Sequence, residues 1–548
     1  MSLAPALPGR QWLLWLVLAL GWFVTIQVRP LLDPDEGRYA EIPREMLASG
    51  DWVTPRFDDL RYFEKPPLQY WATAAAYRLF GVSEWSSRLW AFGLAFACLP
   101  LTYAWVARLY GRGAALGALT ALAISPYFLV IGHLNLLDAA FTFWLTAAVF
   151  GFALAQSAPE RSADERRWML AAWAAAALAV LSKGIVVGVL AGAALAVYTL
   201  TTRDYRPWRR LHPLAGVALF ALIAAPWFIA VSLRNPSFAE FFFVHEHFTR
   251  FLTTVHQRVE PWWFFLPLLL GAVLPWLPAL LRAAVGSWRE RARAPAPAGA
   301  AVAFNPVWFL AVYAAVTLVF FSASGSKLAP YILPMVPALA AVTGAGTRTP
   351  RRLACFGARL GAALVVLGAA GLIVYSARRN SFVPHQALYW AAAAAAAALA
   401  GAAVSFIARV SERVLVVAAG LGAILAWQGL LCEYTVIPPT RSARDLVNAV
   451  RPFVGAHTPL YSVGQYRETV SPYLGRTLQL AGYEGELRFG LDQEPQRRMS
   501  LAQFAQRWSA ESSGVAFFDP GVWDSWRRRG LPGRVIAADN YTVAVSRS

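Results

Sequence analysis

Three lysines, Lys65, Lys183 and Lys327, stand among 46 arginines in this chain. Lysine presents a compact ammonium point charge, where arginine presents a planar fork, so a rare lysine suggests a chosen contact with a phosphate. Lys65 lies in Arg61-Tyr62-Phe63-Glu64-Lys65-Pro66-Pro67. This stretch also reads as an aromatic anchor with a lysine stretched along the interface. Lys183 and Lys327 each occupy a short polar turn between apolar runs. Acids are placed as distinctively. Leu32-Asp33-Pro34-Asp35-Glu36-Gly37-Arg38-Tyr39 sets paired carboxylates beside an arginine, as a catalytic carboxylate requires. The same spacing predicts an Asp N-cap and an acidic first turn on a helix over about 36–48. Asn135 and Asp138, three apart, share one face in the first turn of a helix. A plain reading there is compensation of the helix dipole. His245-Glu246-His247, with Glu64 elsewhere, has the nitrogen and oxygen donors of a zinc site, but alternation in a loop is a weak pattern.

The elements that carry these residues are those of a membrane protein. The chain has 548 residues, 58% hydrophobic and only 15% charged, with a mean hydropathy of +0.46. Soluble domains carry about 25% charged residues. The net charge of +18 does not point to nucleic acid, because the arginines sit in short clusters between apolar runs. Cys98, Cys355 and Cys432 lie within or at the ends of apolar segments, so no disulfide framework is expected.

Thirteen segments qualify as spans, at roughly 11–29, 89–107, 113–131, 134–155, 168–182, 184–202, 213–233, 262–281, 305–323, 328–346, 353–376, 386–408 and 412–432. Alternate connections carry 19 arginines, whereas the short opposite connections carry only Lys183, Lys327, Arg378 and Arg379. The arginine-rich side is therefore expected to be cytoplasmic, with the N-terminus there and the C-terminus opposite. This gives a polytopic helical domain over 1–432, including polar loops 30–88 and 234–261, and a small α/β domain over 433–548. In the latter we expect helices near 441–453 and 500–510, and strands near 458–464, 514–518 and 534–545.

On this topology the ionisable residues that are not loop arginines gather on the non-cytoplasmic face: Asp33, Asp35, Glu36, Arg38, Glu64, Lys65, His133, Asp138, Lys183, His245, Glu246, His247 and Lys327. Ionisable groups at membrane depth are costly and mark function by default. A lipid transporter would place such groups near the midplane and would show an internal repeat, and no repeat is evident.

The ordered set Asp35-Glu36-x-Arg38-Tyr39, Tyr62-Phe63-Glu64-Lys65-Pro66, Leu137-Asp138, Ser182-Lys183-Gly184, Glu246-His247-x-x-Arg250-Phe251 and Lys327-Leu328-x-x-Tyr331-Ile332-Leu333-Pro334 resembles the polyprenyl-phosphate-sugar-dependent transferases of the GT-C class. It is most similar to the lipid A aminoarabinose transferases, relatives of the protein O-mannosyltransferases. Tyr473-Leu474-Gly475-Arg476-Thr477 and Gly485-Glu486-Leu487 extend the likeness into the C-terminal domain. Gly37, where the family pattern leads us to expect Ser, and Pro43 depart from it.

The resemblance implies an inverting sugar transfer, most closely of 4-amino-4-deoxy-L-arabinose. The donor would be undecaprenyl phosphate and the acceptor lipid A, at the periplasmic face of a bacterial inner membrane. It implies Asp35, Asp138 and Arg38 as catalytic residues. It further implies Lys65, Lys183, Arg250, Tyr331 and Tyr62 on the donor phosphate, and Glu36, Tyr39 and Lys327 on substrate. Asp35 would be a general base toward a hydroxyl acceptor. Toward a phosphate acceptor, already ionised, it would orient groups or stabilise an oxocarbenium-like centre. The chemistry needs no cofactor, and any zinc on Glu64 and His245 would be structural. The partners expected are the lipid-linked donor, lipid A and the bilayer, with no nucleic acid, and the protein is expected to act as a monomer. Transfer of another sugar to protein or glycan shares every motif, and a lipid transporter is the reading from another class.

Overall fold

The computed structural model describes residues 11–249, 260–290, 304–347 and 349–547. It is mostly helical and divides into two compact units, each built from two stretches of chain. The first comprises Met1–Ile26 and Trp90–Tyr434, the second Gln27–Leu89 and Thr435–Ser548.

Helical segments lie along the expected spans of the first unit, but the helix Glu84–Ala123, kinked at Gly111, runs through 89–107 and most of 113–131. Eight of the described helices are long and apolar enough to cross a membrane: Glu84–Ala123, Leu137–Ser157, Pro213–Arg234, Phe265–Arg289, Pro306–Ala323, Pro350–Asn380, His385–Phe406 and Glu412–Val436. Trp12–Phe23, Val186–Thr202 and Ala329–Ala345 are shorter apolar helices. The helix Ala163–Lys183 starts on Ser162, whose side chain accepts the Glu165 N–H, and stops at Gly184 with φ 100°. Small residues let helices approach closely, as membrane packing favours. A methyl group on Gly401 would lie 2.9 Å from the Ala418 carbonyl oxygen and 3.0 Å from the Gly422 Cα.

The second unit begins with the helix Asp35–Ser49, a hairpin of β1 (Arg56–Phe57) and β2 (Leu60–Arg61), and the helix Leu68–Phe80. Its C-terminal part holds β3 (Leu460–Val463), β4 (Gln479–Ala481), β5 (Val515–Phe518), β6 (Arg534–Ala538) and β7 (Val543–Ser546), in the order β4-β3-β5-β7-β6. β3 pairs parallel with β4 and β5, while β7 runs antiparallel to β5 and β6. Helices Leu501–Ala510 and Pro520–Arg528 bury Phe504, Trp508, Trp523 and Trp526 against Tyr461, Phe518 and Val545. The expected strands and helices of the C-terminal domain are all present, with the last strand region forming two strands.

The expected boundary at 432/433 lies close to the change of unit at Tyr434. The loop 30–88, assigned from sequence to the membrane domain, instead groups with the C-terminal stretch. Three contacts explain why. Asp33 accepts hydrogen bonds from the Thr469 N–H and the Arg467 Nε, both at 2.8 Å. Gly37 abuts backbone, since a Cβ there would fall within 2.7 Å of Glu468 and Thr469, so the serine expected by resemblance has no room. Asp58, at the hairpin tip with φ 54°, accepts the Leu478 N–H at 2.7 Å and the Ser471 hydroxyl at 3.3 Å. The expected Asp N-cap is not formed either. The helix starts one residue earlier than expected, so Asp35 lies inside it, the capping position falls on Pro34 with no side-chain cap, and Asp35 and Glu36 form the acidic first turn.

Burial pushes the Asp58 carboxyl up to about 8, with the nearby Glu41 charge adding to the shift and the Leu478 N–H opposing it. An unfolded aspartate titrates near 3.9, so the folded state holds this proton more tightly. Stability is therefore lost as pH rises from about 4 toward 8, and the loss is complete above 8. Asp58→Asn keeps the acceptor oxygen and cannot ionise. Its thermal midpoint should gain on wild type between pH 5 and about pH 8 and level off above that, followed by melting the detergent-solubilised proteins from pH 5 to pH 9; parallel curves would show that Asp58 does not carry this proton.

Candidate active site

The chemistry-bearing residues fall in both units. In the membrane unit, Asp138 lies in the first turn of the helix Leu137–Ser157 and Lys183 ends the helix Ala163–Lys183. An acid at a helix N-terminus and a base at a C-terminus each oppose the local dipole. The two side chains are ion-paired and almost withdrawn from solvent. Dipole compensation is thus only part of Asp138's role. The Lys183 Nζ also lies 4.4 Å from the centre of the Tyr331 ring and 5.4 Å from that of Phe141, a cation–π arrangement. Tyr331 sits in the turn Ala329–Ile332, and the Tyr127 hydroxyl donates to the Ala329 carbonyl at 2.5 Å. The structure therefore brings Asp138, Lys183 and Tyr331 together, as a cation with a fixed approach beside a phenol. Lys327 is buried and turned to backbone, donating to the Ser324 carbonyl at 2.7 Å and the Glu260 carbonyl at 3.0 Å. His133 is also structural, its ring lying 4.2 Å from that of Trp22 and its nitrogens meeting the Leu129 and Trp22 carbonyls.

Arg250 and the His247 side chain lie outside the described residues. His245 stacks on Phe241 at 5.1 Å, with its Nδ1 3.7 Å from a Glu246 carboxylate oxygen. Among the described residues no group of three or more His, Cys, Asp or Glu side chains is arranged to hold a metal ion.

In the second unit the helix Asp35–Ser49 presents Asp35 and Arg38 one turn apart. The Arg38 Nη1 donates to Asp35 Oδ1 at 2.9 Å, while Nη2 and Nε reach the two Glu486 oxygens at 2.5 and 3.3 Å. Burial opposes the Arg38 charge, but Glu486, Tyr62 and Asp35 hold the guanidinium well above its ordinary range. The rings of Tyr39 and Tyr62 lie 5.9 and 6.0 Å from it. Burial raises the Glu468 carboxyl, and the Glu486 charge adds to that. The Lys65 Nζ donates to the Glu64 carbonyl at 2.8 Å and stands 3.8 Å from the Glu64 carboxylate.

Glu36 is held differently from its sequence expectation as a substrate contact. It is fully buried, and its two oxygens meet the Arg88 Nε and Nη2 at 3.0 and 2.9 Å. Arg88 also donates to the Arg29 and Pro30 carbonyls. This bidentate pair fixes the loop entering the helix, and removing one partner of such a pair costs about 3–5 kcal/mol.

The residues that sequence reasoning left without a role are Glu486, Arg88, Arg467 and the Glu41–Glu45–Asp58 group. Arg88, a lone arginine where a polar stretch turns apolar, carried a usable signal: a charge there needs a buried partner. Nothing local marked Glu486, whose partner is 448 positions away.

Known proteins give this geometry a context. Residues 12–242 match the family described as dolichyl-phosphate-mannose-protein mannosyltransferase, and residues 446–547 match the aminoarabinose transferase C-terminal domain. An undecaprenyl phosphate-alpha-4-amino-4-deoxy-L-arabinose arabinosyl transferase of Erwinia tasmaniensis is 32% identical over 409 residues, covering 71% of each chain. The one from Pseudomonas aeruginosa is 36% identical over 61% of this chain and 59% of its own length. The crystal structure of ArnT from Cupriavidus metallidurans bound to undecaprenyl phosphate superposes with a TM-score of 0.86 at 33% identity, over 98% of both chains. The same protein in the apo state gives 0.84. With the mannosyltransferase match ahead of the aminoarabinose-specific one in a single chain, and a relative sharing nearly all of its length, this protein belongs to the aminoarabinose transferase family of multi-pass membrane glycosyltransferases.

Proposed function

We propose that this protein transfers 4-amino-4-deoxy-L-arabinose from undecaprenyl phosphate to a phosphate of lipid A, with inversion, at the periplasmic face of the inner membrane. The observation that carries this reading is the likeness over 98% of the chain to a transferase solved with undecaprenyl phosphate. The chemistry of the side chains agrees with it. The leaving group is a lipid phosphate whose charge grows as the glycosidic bond breaks, and cations placed where that charge develops supply most of the rate. Lys183, beside Asp138 and over Tyr331, is assigned to that phosphate, together with Lys65, Tyr62 and Arg250. Asp35, which Arg38 holds through one oxygen, is assigned to the sugar or the acceptor. Lipid A phosphate is already ionised and needs no base, so Asp35 there orients the acceptor or stabilises positive charge at the anomeric carbon. Glu64 and His245 enter no step.

Three outcomes test the reading. Lipid A from cells expressing the protein should gain the mass of one aminopentose, read by mass spectrometry against cells lacking it. An unchanged lipid A alongside a glycosylated protein or glycan would favour the second reading.

Within the site, Asp35→Asn keeps shape and removes charge. It should cut turnover by at least about 10²-fold while donor lipid binds normally, because its contribution is concentrated in the transition state. Lys65→Ala should weaken donor binding as well, since a cation meets phosphate in both states. Donor affinity and rate, measured on the same purified variants, separate the two; near-normal turnover in Asp35→Asn would end its catalytic assignment.

The excess of arginine on alternate connections leads us to place the N-terminus in the cytoplasm and residues 435–548 in the periplasm. A reporter that works only in the periplasm should be active when fused after Ser548. Activity of a cytoplasm-specific reporter at that position would reverse the assignment.

A further inference from the structure

Arg38 gives its stronger grip to the carboxylate farther away in sequence. The Nε–Nη2 edge of the guanidinium faces Glu486 side-on, with contacts of 3.3 and 2.5 Å, and only Nη1 reaches Asp35. Side-on pairing of a guanidinium with a carboxylate fixes the plane of the group as well as its position. Exposure follows the same order. The Arg38 side chain is 6% exposed and that of Glu486 16%, whereas Asp35 is 41% exposed. Asp35 has one described hydrogen bond, at Oδ1. Tyr39 and Tyr62 stand about the guanidinium, so it has little freedom except to choose which carboxylate its forked edge meets.

A side-on pair is the preferred geometry for an arginine beside a carboxylate. Without a competing acid, Arg38 would turn that edge to Asp35, one helical turn away, and close on both of its oxygens. We propose that Glu486 is a positioning residue of the transfer reaction. By occupying the Nε–Nη2 edge of Arg38, it limits that guanidinium to one Asp35 oxygen and leaves the other available to substrate. The inference rests on the reading of Asp35 as the reacting carboxylate, and it gives the C-terminal stretch a part in the chemistry.

The test uses the full-length protein, purified in detergent, with the polyprenyl-linked aminopentose as donor and lipid A as acceptor. Glu486→Gln should lower kcat at least tenfold, with donor KM within twofold of wild type. A purely structural role would lower the thermal midpoint and leave this split unmade. Because Glu486 acts through Arg38, Arg38→Met with Glu486→Gln should be no slower than Arg38→Met alone. Glu486→Asp keeps the charge but draws it back by one methylene, and should fall between wild type and Glu486→Gln. It also serves as the test if Glu486→Gln does not fold, and wild-type turnover in Glu486→Asp would then overturn the proposal. Wild-type turnover in a folded Glu486→Gln, or losses that add in the double variant, would overturn it as well. Asp35→Asn, assayed in parallel, separates the two readings. An inactive Asp35→Asn beside a fully active Glu486→Gln refutes the positioning role alone, whereas an active Asp35→Asn removes the catalytic reading and this inference with it.

Discussion

A charge taken out of water must be met by another charge or by several hydrogen bonds, or it does not stay charged. Both units are organised by this constraint. In the second unit Arg88 meets Glu36, Arg38 meets Asp35 and Glu486, and Arg467 meets Asp33 and Asp539. In the membrane unit Lys183 meets Asp138. Each pair fixes the chain on either side of it, so electrostatic compensation and the positioning of reactive groups are the same contacts. Where acids are buried without a cation of their own, as at Glu45 and Asp58 beside Glu41, the carboxyl is pushed up instead, and Asp58 holds its proton to about 8.

The pairs differ in what they leave over. Both oxygens of Glu36 are occupied by one buried arginine, which makes it a structural anchor despite its place within an acidic motif. Its neighbour Asp35 accepts from Arg38 through a single oxygen and is substantially exposed. Two adjacent acids, alike in sequence, are separated into anchor and candidate reactant by the helix face each occupies. Among the lysines, Lys327 is committed to backbone carbonyls. Lys183 pairs with a carboxylate while facing a phenol ring. An ammonium with three donors can keep Asp138 and still donate to a phosphate oxygen.

Much of this was legible in the sequence, for identifiable reasons. Apolar runs locate the helices because lipid leaves the backbone no other partner than itself. Asp138 and Lys183 were legible because each is a rare charge at a span end. The strand regions 458–464, 514–518 and 534–545 were legible in the C-terminal stretch, whereas β4, Gln479–Ala481, was not expected. What stayed hidden depended on distant partners. That Asp33 bonds Arg467 and Thr469 is decided by chain more than 400 positions away. The same holds for Arg38 and Glu486, and for Gly37, whose missing side chain is explained only by the backbone of Glu468 and Thr469. A local pattern records what a residue can do, and the partner determines which option is used.

The second unit is assembled from two stretches, Gln27–Leu89 and Thr435–Ser548, separated by almost the whole membrane unit. During synthesis the first stretch emerges long before its complement exists. At about 5–20 residues per second, the interval over 89–435 is on the order of tens of seconds. Through that time Arg38 has no Glu486, Asp33 has no Arg467, and the face of Gly37 has no backbone to meet. The early segment must therefore wait in a partly formed state, exposed to proteases and chaperones, while the helices between are inserted. A chain that stops after its last membrane helix, Glu412–Val436, would leave it permanently unmatched, so completion of the unit requires that synthesis has passed the membrane helices.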